Sequence, residues 1–153
     1  MGNMYEWLVG LFGTDLSDYL WGYDCTALDY VNAQVYTGIG VVTIGVALLS
    51  VLCFYWWIDH PRWANRWVPW LVCGAAICGI NLLIGAIWTL RLLNAGAIGE
   101  CMHVMDINCW MFGLANAIDT AILFIVLSFI LKRFVSKKNQ HTPWRSQFWV
   151  LHK

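Results

Sequence analysis

Asn116, Asp119 and Thr120 are spaced three and four residues apart, so a helix carries them on one face. A carboxamide, a carboxylate and a hydroxyl placed together can bind a cation, relay a proton or order water. They lie in the 22-residue stretch from Trp110 to Leu131, where Asp119 is the sole formal charge. About 20 apolar residues at ~1.5 Å each cross a hydrocarbon core ~30 Å thick, so the stretch predicts a transmembrane helix. Asp119 is nine positions past Trp110, roughly 13 Å into that membrane. A carboxylate there costs several kcal/mol unless it is paired, hydrogen-bonded or facing water. Some other part of the chain must answer it.

Asn81 and Arg91 are the candidates. Both belong to a second apolar stretch, and Asn81 lies ten positions, or roughly 15 Å, below Arg91. That depth matches Asp119. Two roles follow. The polar groups can line an ion or proton path, since intramembrane acids often mark one. They can equally form a clamp, Asp119 to Asn81 with Arg91 above or snorkelling outward. The two coexist if Asp119 lies at a subunit interface.

The cysteines are the next reactive groups. Cys25, Cys101 and Cys109 fall outside the apolar stretches, on the side assigned below to the outside. A disulfide there suits an oxidising envelope. Cys101 with Cys109 closes a short loop and is favoured, with Cys25 able to replace either partner. Cys53, Cys73 and Cys78 lie within spans and act as small apolar residues. No C-x-x-C occurs. In Glu100–Asp106, Cys101, Met102, His103 and Met105 are donors suited to Cu(I) or Zn. Their spacing fits no metal-site template, so no metal or other cofactor is expected. No nucleophile–His–acid arrangement and no phosphate-cradling glycine loop stand out, so the chain does not read as an enzyme.

These groups need elements to hold them. Three spans are predicted, over residues 35–58, 67–93 and 110–131. Tyr55, Trp56 and Trp57 mark the end of the first as interfacial aromatics. Gly38 and Gly45 in the first span, and Ala75 and Gly79 in the second, leave faces that let helix backbones approach in lipid. Residues 59–66 are a tight connection between the first two spans, where Pro61 and Pro69 stop helices or sit at their first turn. Residues 1–34 contain Trp7, Leu8, Leu11 and Phe12, then Leu16, Tyr19 and Leu20, at helical spacing. This predicts an amphipathic helix at the membrane interface. Packing on the outer loops is the alternative. There is no basic n-region of the kind a signal peptide has.

Charge orients the chain. Eight of nine Lys and Arg fall in 59–66 or in the tail 132–153, and Arg91 is the ninth. Seven of nine acids fall in 1–34 or 94–109. The positive-inside rule then places the N-terminus outside and the C-terminus in the cytoplasm of a cell (inner) membrane. Composition agrees, with 60% hydrophobic and only 12% charged residues against about 25% charged in soluble domains. The basic tail with Trp144, Phe148 and Trp149 suits anionic lipid more simply than nucleic acid.

The fold class expected is an all-α integral membrane protein, residues 1–153 forming a single membrane domain. In layout alone it resembles the three-span holins of phages, N-out and C-in with a basic tail, which implies self-assembly and pore formation. The leading expectation is a homo-oligomer in the lipid bilayer that forms a pore or ion pathway. The alternative is a non-conducting accessory or immunity-type subunit bound to another membrane protein.

Overall fold

The computed structural model describes residues 3–58, 68–99 and 101–135. The connection 59–66, Glu100 and most of the basic tail lie outside the described residues. The chain is mostly helical, and three helices are long and apolar enough to cross a membrane. The order is α1 (Asn3–Glu6), α2 (Val9–Phe12), α3 (Thr14–Trp21), β1 (Tyr23–Asp24), β2 (Asp29–Tyr30), α4 (Val35–Cys53), α5 (Val68–Asn94) and α6 (Asp106–Val135).

The long helices follow the apolar runs. Helix α4 widens into a π-turn over Phe54–Ile58 and so ends where the first apolar run ends. Helix α5 starts and ends within a residue of expectation. Helix α6 begins four residues earlier than expected, at Asp106 rather than Trp110. Local chemistry accounts for this. Asp106 sits in the first turn, where a carboxylate complements the helix dipole. Asn108 Oδ1 accepts the Met105 backbone N–H at 3.1 Å, satisfying a donor the helix start leaves open.

Helices α5 and α6 make the most extensive pairing in the chain. Gly113 makes it close: a Cβ there would lie 2.7 Å from the Leu82 carbonyl oxygen and 2.8 Å from Ala86 Cβ. The glycines and alanine expected to pack spans are used differently. Gly45 and Gly79 have nothing within 4 Å of a Cβ, and Gly38 meets only the Trp88 ring at 3.8 Å. Ala75 and Gly79 are exposed on α5. None of the four forms a close seam within the chain.

The N-terminal segment departs from expectation. It is three short helices rather than one, and its apolar stripe meets protein. Tyr5, Leu8, Phe12, Leu16 and Leu20 are buried with Tyr36, Ile39 and Phe112 in one core at this end of the bundle. Tyr5 stacks on Tyr36 with ring centroids 5.2 Å apart, and Phe12 meets Phe112 edge-on at 5.2 Å. Trp7 and Leu11 remain exposed. A second core, around Val51, Phe54, Trp70 and Phe124, closes the opposite end.

Between α3 and α4 the chain makes a small antiparallel hairpin, Tyr23 opposite Tyr30 and Asp24 opposite Asp29. Gly22 enters it at φ +99°, and a Cβ there would run into the Asn32 carbonyl. Asp24 accepts the Thr26 N–H at 2.8 Å and its hydroxyl at 2.7 Å. These bonds hold the Asp24 carboxyl below the usual carboxylate range.

The disulfide differs from the pairing favoured on sequence. Cys25 bonds Cys101, with Cα atoms 6.0 Å apart, tying the hairpin to the loop before α6. Cys109 cannot compete, because the early start of α6 carries it into a buried position as a free thiol.

Candidate polar junction within the bundle

Asn116 is the centre of the site. It is fully buried, and four elements meet on it. Its Oδ1 accepts the Tyr5 hydroxyl at 2.9 Å and the Thr43 hydroxyl at 2.9 Å. Its Nδ2 donates to the Asn81 backbone oxygen at 2.7 Å. One side chain therefore joins α1, α4 and α5 to α6. The close seam explains the reach of that last bond. Gly85 lets the Asn116 side chain in, since a Cβ at residue 85 would lie 3.2 Å from Asn116 Cβ.

Asp119 lies one turn along α6. It is 4% exposed. Its Oδ1 accepts Trp7 Nε1 at 3.2 Å, across 112 residues of sequence. The indole that makes this bond is itself 60% exposed. An indole at the bundle surface thus donates to a buried carboxylate. Asp119 Oδ2 has no hydrogen-bond partner among the described residues. Neither does either polar atom of the Asn81 carboxamide, although Asn81 is fully buried. Buried polar atoms of this kind are rare and usually mark bound water, an ion or a functional group.

The five residues read as one polar set do not all meet. Asn116 and Asn81 come together as depth predicted, but through the Asn81 backbone. Thr120 turns its hydroxyl to the Asn116 carbonyl oxygen at 2.7 Å, a bond within its own helix. Arg91 stands ten residues along α5 from Asn81, about 15 Å, and is exposed. The donor that reaches Asp119 is Trp7, so the anticipated clamp of Asp119 on Asn81 under Arg91 is not the one formed.

Tyr5, Trp7 and Thr43 are the members that sequence reasoning missed. One signal pointed to Trp7. A buried carboxylate with no Lys or Arg at its depth needs a neutral donor, and an indole N–H is such a donor. Its position near the chain start hid the partnership. The soft-donor stretch is also resolved in part: Cys101 is consumed by the disulfide, and the His103 backbone N–H donates to Asp15 at 3.1 Å. Among the described residues, no group of three or more His, Cys, Asp or Glu could hold a metal ion.

Comparison of the chain with protein-family models, with curated proteins and with solved structures finds no match in any of the three. The functional reading therefore rests on the junction itself. Chemically it offers a carboxylate oxygen and a carboxamide with unused hydrogen-bonding capacity, halfway along span-length helices, the carboxylate bonded by one exposed indole.

Proposed function

We propose that the protein is a self-assembling membrane protein in which Asp119 lines a pathway for cations or protons. The disulfide end lies outside and the basic tail lies in the cytoplasm, as the distribution of Lys and Arg directs. Asp119 falls midway along Asp106–Leu131, near the bilayer centre. The observation that carries the reading is the unpartnered Asp119 Oδ2, together with the unpartnered Asn81 carboxamide. In hydrocarbon such atoms are costly, and water or a cation satisfies them. A negative charge at that depth lowers the barrier to a cation, and its protonation can carry a proton.

Three spans cannot enclose a wide aqueous channel, so conduction requires several copies. The exposed Ala75 and Gly79 on α5 support association, because small residues let neighbouring helices approach in lipid. Trp7 acts as the cover. Displacing it opens Asp119 to the pathway.

A non-conducting subunit that binds another membrane protein is the second reading. The junction at Asn116 favours it, because that network spends its hydrogen bonds on holding the chain together. Two measurements on the purified full chain separate the readings. Its mass in detergent should exceed that of one chain, and it should pass cations or protons across liposomes. A strict monomer that passes neither contradicts the pathway.

A further inference from the structure

A groove of about 730 Å³ runs between α4 and α5, lined among others by Val42, Ile80, Ile84, Ile87, Trp88 and Arg91. Its walls are apolar except at one end. Ile80 lies near the middle of α5, and Arg91 lies three residues before its last residue, Asn94. From Ile80 to Leu92 the groove follows twelve residues of α5, about 18 Å. One leaflet of a ~30 Å hydrocarbon core is ~15 Å deep. The groove therefore has the length of one leaflet, closing near the bilayer centre and opening where headgroups lie.

Its charge is as specific as its length. Arg91 is the one basic residue of the nine outside 59–66 and the tail. Among the described residues no acid lines the groove, although the charge distribution places seven of nine acids on the same side of the membrane. Arg91 is exposed at the groove mouth. A guanidinium pairs well with phosphate oxygens, in bidentate fashion where geometry allows. An apolar slot one leaflet long, with Arg91 its one cation among the described residues and at headgroup level, matches one chemistry.

We propose that this groove holds one acyl chain of an anionic glycerophospholipid of the outer leaflet, with its headgroup phosphate on Arg91. The inference rests on the membrane orientation given above and is independent of conduction. The lipid fills the gap between α4 and α5 with methylene groups and neutralises Arg91, so it also fixes the spacing of the two helices.

Native mass spectrometry of the delipidated full chain in detergent tests this, with phosphatidylglycerol and diacylglycerol of identical acyl chains as probes. Wild-type protein should retain one phosphatidylglycerol about tenfold more tightly than diacylglycerol, which lacks the phosphate, the size of one charge-assisted contact. Arg91→Gln should bring the two lipids level, and Arg91→Lys should keep part of the preference, which guards against a folding defect in Arg91→Gln. Ile84→Trp should weaken both lipids by filling the slot. Equal retention of both lipids by the wild type overturns the proposal, as does a preference that survives Arg91→Gln. Displacement by millimolar inorganic phosphate with no effect of Ile84→Trp would mean an anion site without an acyl chain. A dimer that Ile84→Trp dissociates would mean that a second copy occupies the groove. Either result overturns the assignment while leaving the Asp119 pathway to its own test.

Discussion

Trp7 Nε1 lies 3.2 Å from Asp119 Oδ1, an exposed indole on a buried carboxylate. The bond joins the start of the chain to the middle of its last long helix. It gives Asp119 one partner and leaves the second oxygen unmatched. Trp7→Phe keeps an apolar ring and removes the donor. The expected outcome is a higher cation or proton flux in liposomes, with the fold intact by circular dichroism. Flux equal to wild type would show that Trp7 covers nothing.

Asn116 should matter more to stability than any other polar residue of the junction. Asn116→Leu strands the Tyr5 and Thr43 hydroxyls in a buried setting. Each buried group left unsatisfied costs about 1–3 kcal/mol. Thermal unfolding in detergent should fall by several degrees. Thr120→Val removes only a bond within α6 and should shift it much less. Similar losses from both variants would contradict the four-element role of Asn116.

The disulfide prediction is a pairing. Peptide mapping without reductant should join Cys25 to Cys101 and leave Cys109 free but slow to alkylate, because it is buried. Cys101→Ser should destabilise the hairpin end by about 2–4 kcal/mol. A Cys101–Cys109 linkage would require unwinding the start of α6 and would refute the described packing.

The three long helices were legible because apolar runs of span length have few other uses. Asp119 was legible because a charge in such a run needs a partner. The partner was not legible. Leu8, Phe12, Leu16 and Leu20 repeat at helical spacing, and that periodicity is the same whether the stripe meets lipid or Phe112. Short sequence separation favoured Cys101 with Cys109, and only the position of the α6 start decides against it. Gly113 makes the closest helix approach, yet nothing in its neighbours distinguishes it from Gly79, which faces open space.

Those two glycines give separable predictions. Gly113→Ala must push α5 from α6, because its Cβ would meet the Leu82 carbonyl oxygen at 2.7 Å. A cost of about 1–3 kcal/mol is expected from such overpacking, read as a lower unfolding temperature of the monomer. At Gly79 an added Cβ meets nothing within 4 Å among the described residues, so Gly79→Leu should leave that temperature unchanged. It should instead reduce the detergent-solubilised mass towards one chain. If the mass is unaffected, the exposed small-residue face of α5 is not an assembly surface.

In the proposed pathway the Asp119 carboxylate itself serves conduction. Asp119→Asn decides it, compared with wild type at matched protein density in liposome flux assays. The amide keeps nearly the same shape and can still accept the Trp7 N–H. Membrane hydrogen bonds are worth only about 0.6–2 kcal/mol, so assembly should survive. Asp119→Leu is the control that loses hydrogen bonding as well. Asp119→Asn should abolish cation or proton flux while the oligomer stays intact. An Asp119→Asn protein that conducts like wild type would contradict that role and leave the carboxylate as a structural group.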